Sequence, residues 1–395
     1  MKESGIDWIG QIPEEWRVTK LKYALLISNG KDYKDIEVEE GGYPVIGSGG
    51  VFARARNYMY DGDVVLLGRK GTIDKPLFYS GKFWTVDTMF YSTALNGNNI
   101  KFMYYSSLLI PFSYYSTATA LPSMTQSDLN NHVLCLPSIS EQQKIADFLD
   151  KKTAQLDKVK SLLEEQIQKL KDYRASLIYE TVTKGLDKTV PMKDSGIDWI
   201  GEVPEGWEIT KHKYIMTKVK EICAHYEGQD ILSLTRQGVV VRDIESGKGK
   251  MPASFDGYQF LEKGDLLFCL FDIDVTPRCV GVVENNGLTS SAYSRFRLDD
   301  KISVYYYYYL FLSMDEDKVL LHLAKNLRHS LTEDDFGIIE TVLPSYEEQL
   351  RIADYLGKVT KSIDEIVQLK QKQIDNINKQ RQTLIYDYVT GKRRV

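Results

Sequence analysis

The chain has 395 residues, of which 43% are hydrophobic and 27% charged, and its formal net charge is −5. This length exceeds what one hydrophobic core usually organises, so more than one globular domain is predicted. No apolar run approaches the roughly 20 residues of a membrane-spanning helix, which predicts a chain that crosses no bilayer. The acidic balance argues mildly against nucleic acid as a partner, although a local basic loop can outweigh it.

The N-terminal segment MKESGIDW lacks the apolar stretch of a signal peptide. Together with the small number of cysteines, this predicts a reduced, cytoplasmic protein. No metal site is predicted, because neither the cysteines nor the histidines show the spacing of metal ligands. The residues concerned are Cys135, Cys223, Cys269, Cys279, His132, His212, His225, His322 and His329.

Two segments of the sequence each occur twice, in closely similar form. SGIDWIGQIPEEWRVTKLKY begins at Ser4, and SGIDWIGEVPEGWEITKHKY begins 191 positions later, at Ser195. LPSISEQQKIADFLD begins at Leu136, and LPSYEEQLRIADYLG begins 207 positions later, at Leu343. The pattern predicts a tandem duplication in which the ends of each copy are kept and the middles diverge.

The two middles, residues 28–135 and 217–342, are predicted to be mixed α/β. Short β-rich runs (63–68 and 265–271) alternate with glycine-rich turns (47–50 and 246–250), and helices are predicted near 101–110 and 304–313. Five tyrosines occupy positions 305–309. Side chains of five successive helical residues point all round the helix, so most of these tyrosines are predicted to be core or interface residues rather than a stacking platform for bases.

A long helix is predicted after each middle. The first, from Ser140 to about Thr183, contains no proline or glycine; Ser140 and Gln143 resemble a capping box, and Gly185 closes the far end. Leucine and isoleucine recur at heptad spacing, which is typical of a coiled coil. The heptad positions are Leu149, Leu156, Leu163, Leu170, Leu177, Leu356, Ile363, Ile377 and Leu384, and the predicted alternate seam is Ile145, Val159, Tyr173, Ile352, Val359 and Ile366.

The two helices are predicted to pair with each other as an antiparallel coiled coil, with pairing between different chains as the alternative. The predicted fold is therefore α/β (α+β), a tandem duplication of two globular domains that are each followed by a long helix. The predicted boundaries are 1–137 for the first globular domain, 138–186 for the central helix, 187–344 for the second globular domain and 345–395 for the C-terminal helix.

The sequence contains no recognisable catalytic motif. No GxxxxGK[ST] phosphate loop occurs, and neither a glycine-rich cofactor turn after a strand nor an NPP[FY]-like loop is present. The carboxylates at Glu333, Asp334 and Asp335 are interpreted as a solvated helix start. The chain is therefore predicted to be non-catalytic and to bind no cofactor or metal.

Arginine and glutamine on glycine-rich loops are the side chains that read base edges most directly, so loops of this kind indicate a DNA reader. The segments 117–129 and 324–336 also correspond in the two halves. The candidate DNA-binding residues of the first half are Arg54, Arg56, Arg69, Lys70, Thr72, Lys75, Ser123, Thr125 and Gln126. Those of the second half are Arg236, Gln237, Arg242, Lys248, Lys250, Arg278, Asn326, Arg328 and His329.

Three motifs together resemble the specificity subunit of type I restriction-modification enzymes. They are the SGIDWIGxxPExW opener, GDVVLLGRKGTIDKP at residues 62–76, and LPSxxEQxxIADxL at the head of each long helix. The resemblance covers essentially the whole chain. It implies two target-recognition domains that each read half of a split site in double-stranded DNA, and two helices that hold those domains a fixed distance apart.

The resemblance also implies partners. The chain would join two methyltransferase subunits, which bring S-adenosylmethionine, and restriction subunits, which bring ATP, magnesium and nuclease activity. The faces at residues 141–147 and 348–354 are predicted to dock the methyltransferase subunits. The second middle departs from the family pattern, since it has CLFDIDVTPR at residues 269–278 in place of GRKGTIDKP, and this makes the role of Arg278 less secure.

Two other classes of function stay open at this point. One is a self-sufficient restriction or methylation enzyme, against which the missing cofactor and nuclease motifs count. The other is a coiled-coil scaffold that never touches DNA, against which the basic, glycine-rich loops in both halves count.

Overall fold

The structure is a computed structural model that describes residues 1–115, 122–245, 252–324 and 329–395. The chain divides into two compact units. The first unit is Met1–Leu163 together with Gln371–Val395, and the second is Glu164–Lys370. Within the described ranges, no helix combines the length and the apolar character that crossing a membrane requires.

The first unit is mixed α/β, as predicted for its middle. Its strands are β1 (Lys2–Glu3), β2 (Gln11–Ile12), β3 (Arg17–Lys20), β4 (Leu25–Asn29), β5 (Glu37–Val38), β6 (Tyr43–Gly47), β7 (Gly50–Ala55), β8 (Tyr60–Gly68), β9 (Leu77–Thr85), β10 (Met89–Ala94) and β11 (Val133–Leu136). Its helices are α1 (Ile100–Ser107), α2 (Phe112–Tyr115), α3 (Gln126–Asn131) and the start of α4 (Ile139–Lys184), with 3-10 turns at Leu21–Tyr23 and Lys34–Ile36.

A seven-stranded sheet forms the centre of the first unit. The strand order is β4-β10-β8-β9-β6-β7-β5, and every pairing is antiparallel except that of β6 with β9. Strand β8 is an interior strand of this sheet, and its apolar run is covered on both faces. Val65 and Leu67 pack into the core that contains Trp16 and the end of the C-terminal helix, whereas Val64 and Leu66 pack into a smaller cluster around Phe83.

The second unit is also mixed α/β. Its strands are β12 (Met192–Asp194), β13 (Glu202–Pro204), β14 (Glu208–Lys211), β15 (Met216–Val219), β16 (Leu232–Thr235), β17 (Gly238–Val241), β18 (Gln259–Leu261), β19 (Leu266–Phe268), β20 (Val280–Val282), β21 (Gly287–Thr289), β22 (Ser294–Leu298) and β23 (Glu340–Leu343). A 3-10 turn covers His212–Tyr214, and the helices are α5 (Val304–Glu316), α6 (Val319–Leu323), α7 (Glu333–Gly337) and the larger part of α8 (Tyr346–Val389).

The sheet of the second unit has a strand order that also occurs in the first. The order β15-β22-β19-β20 matches β4-β10-β8-β9, and the ribbon β14/β23 matches β3/β11. The two middles therefore share four strands and a ribbon although their sequences show little similarity.

The tyrosine run lies on α5, and the prediction that most of it is core is confirmed. Tyr306, Tyr307 and Tyr309 are buried, whereas Tyr305 is exposed. The hydroxyl groups of Tyr306 and Tyr307 each donate a hydrogen bond of 2.8 Å to a backbone carbonyl oxygen, of Val182 and Val342 respectively. These bonds satisfy polar groups that would otherwise be costly to bury.

The start of the first long helix differs from the prediction. The helix begins at Ile139, so Ser140 is already inside it, and Ser138 accepts a bond from the Glu141 amide through its hydroxyl group. The Ser138 hydroxyl group thereby satisfies one of the backbone amides of the first helical turn, which have no partner inside the helix. The predicted end is confirmed, since Gly185 has the left-handed φ of +70° that glycine adopts most easily.

The burial of the long helices agrees with the predicted heptad pattern only in part. Leu149, Leu356 and Ile363 are buried, and so are Ile145 and Ile352 of the predicted alternate seam. Val159, Tyr173 and Ile366 of that seam are exposed, at 47%, 56% and 43%. Further along each helix, the buried residues lie four positions after a heptad position (149, 163, 356 and 370) instead of three, at Thr153, Ile167, Thr360 and Ile374. Both spacings fall on the same side of a helix, so the sequence pattern alone did not distinguish them.

Candidate functional site

A loop bounded by glycines follows β8 in the first unit and lies against the segment before α3. The Met124 amide donates to the Arg69 carbonyl oxygen, and the Gly71 amide donates to the Pro122 carbonyl oxygen, each at 2.9 Å. A Cβ atom on Gly68 would stand 2.4 Å from the Thr72 carbonyl oxygen, so this close approach requires glycine. The loop is therefore held in one position by backbone contacts.

The loop and its neighbour border an open cleft of about 380 Å³. Five of the predicted DNA-binding residues line it, and we call it the Arg69 cleft. Its lining residues are Asn29, Arg69, Lys70, Phe90, Ser123, Met124, Thr125 and Gln126.

The Arg69 guanidinium group is oriented by two contacts. Nη1 donates to the Asp87 carbonyl oxygen at 3.2 Å, and the group lies over the Phe90 ring, 5.9 Å from its centroid. An arginine held in this way loses less side-chain entropy when it binds a planar ligand. Lys70 is exposed beside it.

Two other residues of the cleft also have structural roles. Thr125 caps α3, where its hydroxyl oxygen accepts from the Asp128 amide at 3.0 Å. The Gln126 side chain donates to the Ile27 carbonyl oxygen at 2.7 Å. Both side chains line the cleft, but part of their hydrogen-bonding capacity is already used by the fold.

The remaining candidates of the first half lie outside this lining. Arg54 donates to the carbonyl oxygens of Gly41 and Gly42 at 3.3 Å, and Arg56 donates to that of Asp35 at 3.2 Å. Both side chains thus stabilise the backbone around β5 and β7 through hydrogen bonds. Thr72 and Lys75 are exposed in the loop that continues after Gly71.

The second unit has a loop junction with similar backbone contacts. The Leu331 amide donates to the Leu270 carbonyl oxygen at 2.8 Å, and the Ile273 amide donates to the His329 carbonyl oxygen at 3.1 Å. The second loop has one residue more between its two bonds, so Leu270, Phe271 and Asp272 stand where Arg69 and Lys70 stand in the first unit. The chemistry of the two loops differs, because two basic side chains are replaced by two apolar side chains and a carboxylate.

Aromatic rings characterise the second junction. Phe271 is partly exposed, and its ring centroid lies 5.9 Å from that of Tyr293. The neighbouring Asp272 has a left-handed φ of +49°, and His329 has a φ of +45°, both uncommon for residues other than glycine. Such backbone conformations concentrate at functional sites.

The other candidates of the second half are spread over several elements. Arg236 and Gln237 form the exposed turn between β16 and β17, and Arg242 follows β17. Arg278 is half-buried and donates to the Tyr308 hydroxyl group at 3.3 Å. Lys248, Lys250, Asn326 and Arg328 lie outside the described residues.

Sequence reasoning did not identify Asn29, Phe90, Phe271 or Tyr293. Asn29 and Phe90 are partners across β4 and β10, a pairing that no sequence pattern indicates. Aligning LFDID with GRKGT would have found Phe271, because both follow a β-rich run that begins Gly-Asp.

Some side chains of each predicted docking face are already hydrogen-bonded or buried within their own unit. The Trp16 indole Nε1 donates to Glu141 at 3.1 Å, and the Trp207 indole Nε1 donates to Glu348 at 3.0 Å. Gln142 and Gln349 are buried next to these glutamates, whereas Asp147 and Asp354 are exposed. Only the outer side chains of these two faces are therefore available to a partner.

Each unit contains contacts between segments of the two long helices. In the first unit, Arg381 forms an ion pair with Asp157 at 3.5 Å, and the rings of Phe148 and Tyr388 lie 4.5 Å apart. In the second unit, Arg174 forms an ion pair with Asp364 at 3.4 Å, and Lys370 donates to Gln166 at 2.6 Å. In both units, the residue number on α8 falls as that on α4 rises.

Comparisons with known proteins agree with the resemblance seen in the sequence. Residues 13–171 match the sequence model of the family described as type I restriction modification DNA specificity domain. The chain is 25% identical to the putative type I restriction enzyme MjaX specificity subunit of Methanocaldococcus jannaschii, over 98% of this chain and 96% of that protein. It is 24% identical to the type I restriction enzyme MjaVIII specificity subunit of the same organism, over 98% and 94%.

The fold is also found among solved structures. One chain from a study of complex assembly and conformational transition of the type I R-M system superimposes with a TM-score of 0.70. The similarity covers 96% of this chain and 98% of that chain, at 13% sequence identity. At this identity, the similarity concerns the fold alone.

Proposed function

This chain belongs to the specificity subunits of type I restriction-modification systems, and on that premise we propose that its two units each read one half of a split DNA site. One observation carries the proposal. The junction of residues 69–71 with 122–124 and the junction of 270–273 with 329–331 each contain two similar amide-to-carbonyl hydrogen bonds but present different side chains. Two loops with similar backbone contacts and different side chains suit the recognition of two different half-sites.

The first junction has the chemistry of a direct base reader. Arginine can donate two parallel hydrogen bonds to guanine O6 and N7, and lysine contacts either base edges or phosphates. Arg69 and Lys70 border an open cleft, and Arg69 is already oriented by Asp87 and Phe90. These residues are therefore the main candidates for reading the first half-site.

The second junction favours another mode of recognition. Phe271 and Tyr293 offer apolar surface to a thymine methyl group or to the face of a base. The exposed turn of Arg236 and Gln237 adds hydrogen-bond donors that suit guanine and adenine. The second half-site should therefore depend on Phe271 as well as on this turn.

The proposal includes a tandem duplication and an antiparallel coiled coil of α4 and α8 that sets the gap between the half-sites. Support for the duplication comes from bonds that match between the units, such as Trp16 with Glu141 and Trp207 with Glu348. Support for the pairing comes from the matching ion pairs of Arg381 with Asp157 and of Arg174 with Asp364.

The chain acts as a non-catalytic subunit in this proposal. Two methyltransferase subunits supply S-adenosylmethionine, and restriction subunits supply ATP, magnesium and nuclease activity. Double-stranded DNA is the ligand that this chain itself contacts. The chemistry is thus performed by the partners at a place that this chain selects.

The test is to express the chain with its candidate methyltransferase subunit in a host free of DNA methylation and to sequence modified bases across the genome. We expect a split motif with a fixed unspecified gap, present only when both proteins are made. A complex that forms and binds S-adenosylmethionine but no duplex would favour a scaffold that does not read DNA.

Single substitutions then assign the half-sites. We expect Arg69→Ala or Lys70→Ala to relax or abolish recognition of one half-site, with a cost of about 1–3 kcal/mol per lost base contact. Phe271→Ala should affect recognition of the other half-site only.

Lys34→Ala is a matched control, because Lys34 is exposed in the first unit but forms an ion pair with Glu37 away from the cleft. If Arg69→Ala and Phe271→Ala altered the same half of the motif, the assignment of one reader to each unit would be wrong.

A further inference from the structure

Two apolar side chains are exposed at the tip of a hairpin in the first unit. Strands β6 and β7 are joined by the two residues 48–49 alone, and the segment 47–53 carries no charged side chain. Val51 and Phe52 follow this turn, and each of them is 56% exposed. We call residues 48–52 the Phe52 tip.

A β-bulge turns both of these side chains outward. Val51 pairs with Ile46, whereas Ala53 pairs with Val45. Phe52 is therefore an extra residue on β7 that has no partner in the ladder. Successive side chains of a regular strand point to opposite faces, so one of two neighbours would normally be covered. Bulges that redirect a side chain in this way are concentrated next to functional sites.

The exposed Phe52 ring is held by two contacts. Its centroid lies 5.4 Å from that of the Tyr33 ring, with an angle of 90° between the two ring planes. A Cβ atom on Gly47 would lie 3.2 Å from Cε1 of Phe52, so one edge of the ring lies against the Gly47 backbone. An exposed ring that is already oriented loses little conformational freedom when it binds a flat ligand.

The Phe52 tip lies near the Arg69 cleft. Asn29 lines that cleft, and Tyr33, whose ring contacts Phe52, follows Asn29 by four residues. Four residues span at most about 14 Å of chain, so with the length of the Tyr33 side chain the Phe52 ring lies less than about 25 Å from Asn29. In a duplex, the minor groove follows the major groove after half a helical turn, about 17 Å. The cleft and the tip can therefore contact adjacent grooves of one short stretch of DNA.

Hydrogen bonds attach the hairpin to this end of the unit. The Lys31 amide donates to the Thr85 carbonyl oxygen at 3.0 Å, two residues after Asn29. The buried Thr85 hydroxyl group donates to the Ile46 carbonyl oxygen at 2.7 Å. Because Ile46 is in the last part of β6, the position of the tip relative to the cleft is determined by the sheet and not by a loop alone.

A hairpin occupies the same place in the chain order of the second unit. It is β16/β17, which lies between β15 and β19 as β6/β7 lies between β4 and β8. Its exposed turn carries Arg236 and Gln237, which are candidates for reading the second half-site. One hairpin tip is thus apolar and the other is polar, and the correspondence favours DNA over a protein as the ligand of the Phe52 tip.

We propose that the Phe52 tip is an apolar wedge that enters a base step beside the first half-site. This inference rests on the proposed function, and it adds a contact whose strength depends on how easily two stacked bases separate. Phenylalanine side chains that enter the minor groove unstack a base step and bend the duplex. The ring then replaces a stacking contact that the separated bases have lost. We expect a pyrimidine–purine step at this position, because such steps unstack most easily.

The test measures base stacking in a duplex that carries the methylated motif. The fluorescent base 2-aminopurine, which brightens when it is unstacked, is placed at successive positions, and the full chain is added together with its methyltransferase subunit. The methylated base and its neighbours are excluded, because a methyltransferase extrudes that base itself. We expect one bright step, within about seven base pairs of the half-site that Arg69→Ala alters.

Substitutions of Phe52 should change this signal. Phe52→Ala should abolish the bright step and weaken duplex binding roughly ten- to hundredfold. Phe52→Leu should keep part of the signal and part of the affinity, because leucine also acts as a wedge.

Tyr58→Ala is the matched control. Tyr58 is 44% exposed beyond the other end of β7, and its ring centroid lies 5.0 Å from that of Tyr43. Tyr58→Ala should change neither the bright step nor the affinity for the duplex. Thermal unfolding of each variant separates a lost contact from a lost fold.

Other outcomes overturn the inference. A bright step that persists in Phe52→Ala, or the absence of such a step with the unaltered chain, would show that the tip is no wedge. Weaker binding without a bright step would make the tip a contact to base edges, and loss of the methyltransferase subunit from Phe52→Ala would make that subunit the ligand. In these cases a split methylation motif made by the unaltered chain leaves the proposed function standing, whereas an unaltered chain that yields no motif and binds no duplex counts against the proposed function itself.

Discussion

At the scale of single residues, two buried histidines link stability to pH. His132 and His212 are almost completely buried, and burial lowers their pKa values from 6.5 to about 4 and about 3. His132 Nδ1 lies 2.9 Å from the Tyr115 hydroxyl oxygen, and His212 Nδ1 lies 3.0 Å from the Phe336 carbonyl oxygen. Both rings are therefore neutral in the folded protein at pH 7.

We expect the protein to lose stability as pH falls from 7 to 5. The unfolded chain binds protons below pH 6.5 while the folded chain does not, so each buried histidine costs about 2 kcal/mol at pH 5. Leucine stands at the position equivalent to His212 in the first unit, so His212→Leu should remove its share of this loss. Calorimetric unfolding at pH 7 and pH 5 measures the effect, with the exposed His225→Gln as a control that should not change it. An unchanged pH dependence in His212→Leu would contradict the argument.

At the scale of elements, the long helices bury a stripe that contains polar side chains. Thr153 and Thr360 donate to the carbonyl oxygens of Leu149 and Leu356, at 2.8 and 2.7 Å, and so satisfy their own hydroxyl groups. Arg174 and Arg381 each form an ion pair with a partly exposed aspartate. Since these ion pairs are partly solvated, most of the stability of the helices should come from the apolar positions between them.

Two isoleucines of α8 test which positions are buried. Ile374 is 4% exposed and Ile366 is 43% exposed. Ile374→Ala should destabilise the protein by about 2–4 kcal/mol, because it removes buried methyl groups and leaves a cavity. Ile366→Ala should cost less than about 1 kcal/mol. Denaturant or thermal unfolding of both variants measures the difference, and equal costs would favour the seam predicted from the sequence.

At the scale of the whole molecule, the proposal makes helix length the determinant of the gap between half-sites. A heptad inserted after Leu163 in α4 and another after Lys370 in α8 would preserve the buried stripe and add about 10 Å of helix. Duplex DNA rises about 3.4 Å per base pair, so we expect the gap in the methylated motif to lengthen by about three base pairs with unchanged half-sites.

Genome-wide sequencing of modified bases measures the length of this gap directly. A heptad inserted into α4 alone is the control, and it should reduce stability and methylation because the two helices no longer match. An unchanged gap in the doubly extended protein would mean that the helices do not determine the spacing.

Several features of the fold were predictable from sequence because they depend on local patterns. The first long helix, whose sequence contains no proline or glycine, and the glycine at residue 185 that ends it appear in the structure within a residue or two of where they were predicted. The burial of the tyrosine run followed from helix geometry alone. The Arg69 cleft was partly predictable, since Arg69, Lys70 and Ser123 stand on segments marked by glycine and proline.

Features that depend on partners distant in the chain were not predictable. The alternate seam was wrong at Val159, Tyr173 and Ile366, because three- and four-residue steps share one helix face and only the packed neighbours distinguish Ile374 from Ile366. Asn29 enters the cleft through its pairing with Phe90, and the four-strand order common to both units is hidden by divergent sequence.

By itself, the sequence determined the repeated segments, the mixed α/β class, the two long helices and the resemblance to type I specificity subunits, because repeats and periodicity are properties of neighbouring residues. The tertiary structure decided which side chains share a cleft and which positions of each long helix are buried. Those facts arise from contacts between segments up to hundreds of residues apart, which local propensity does not encode.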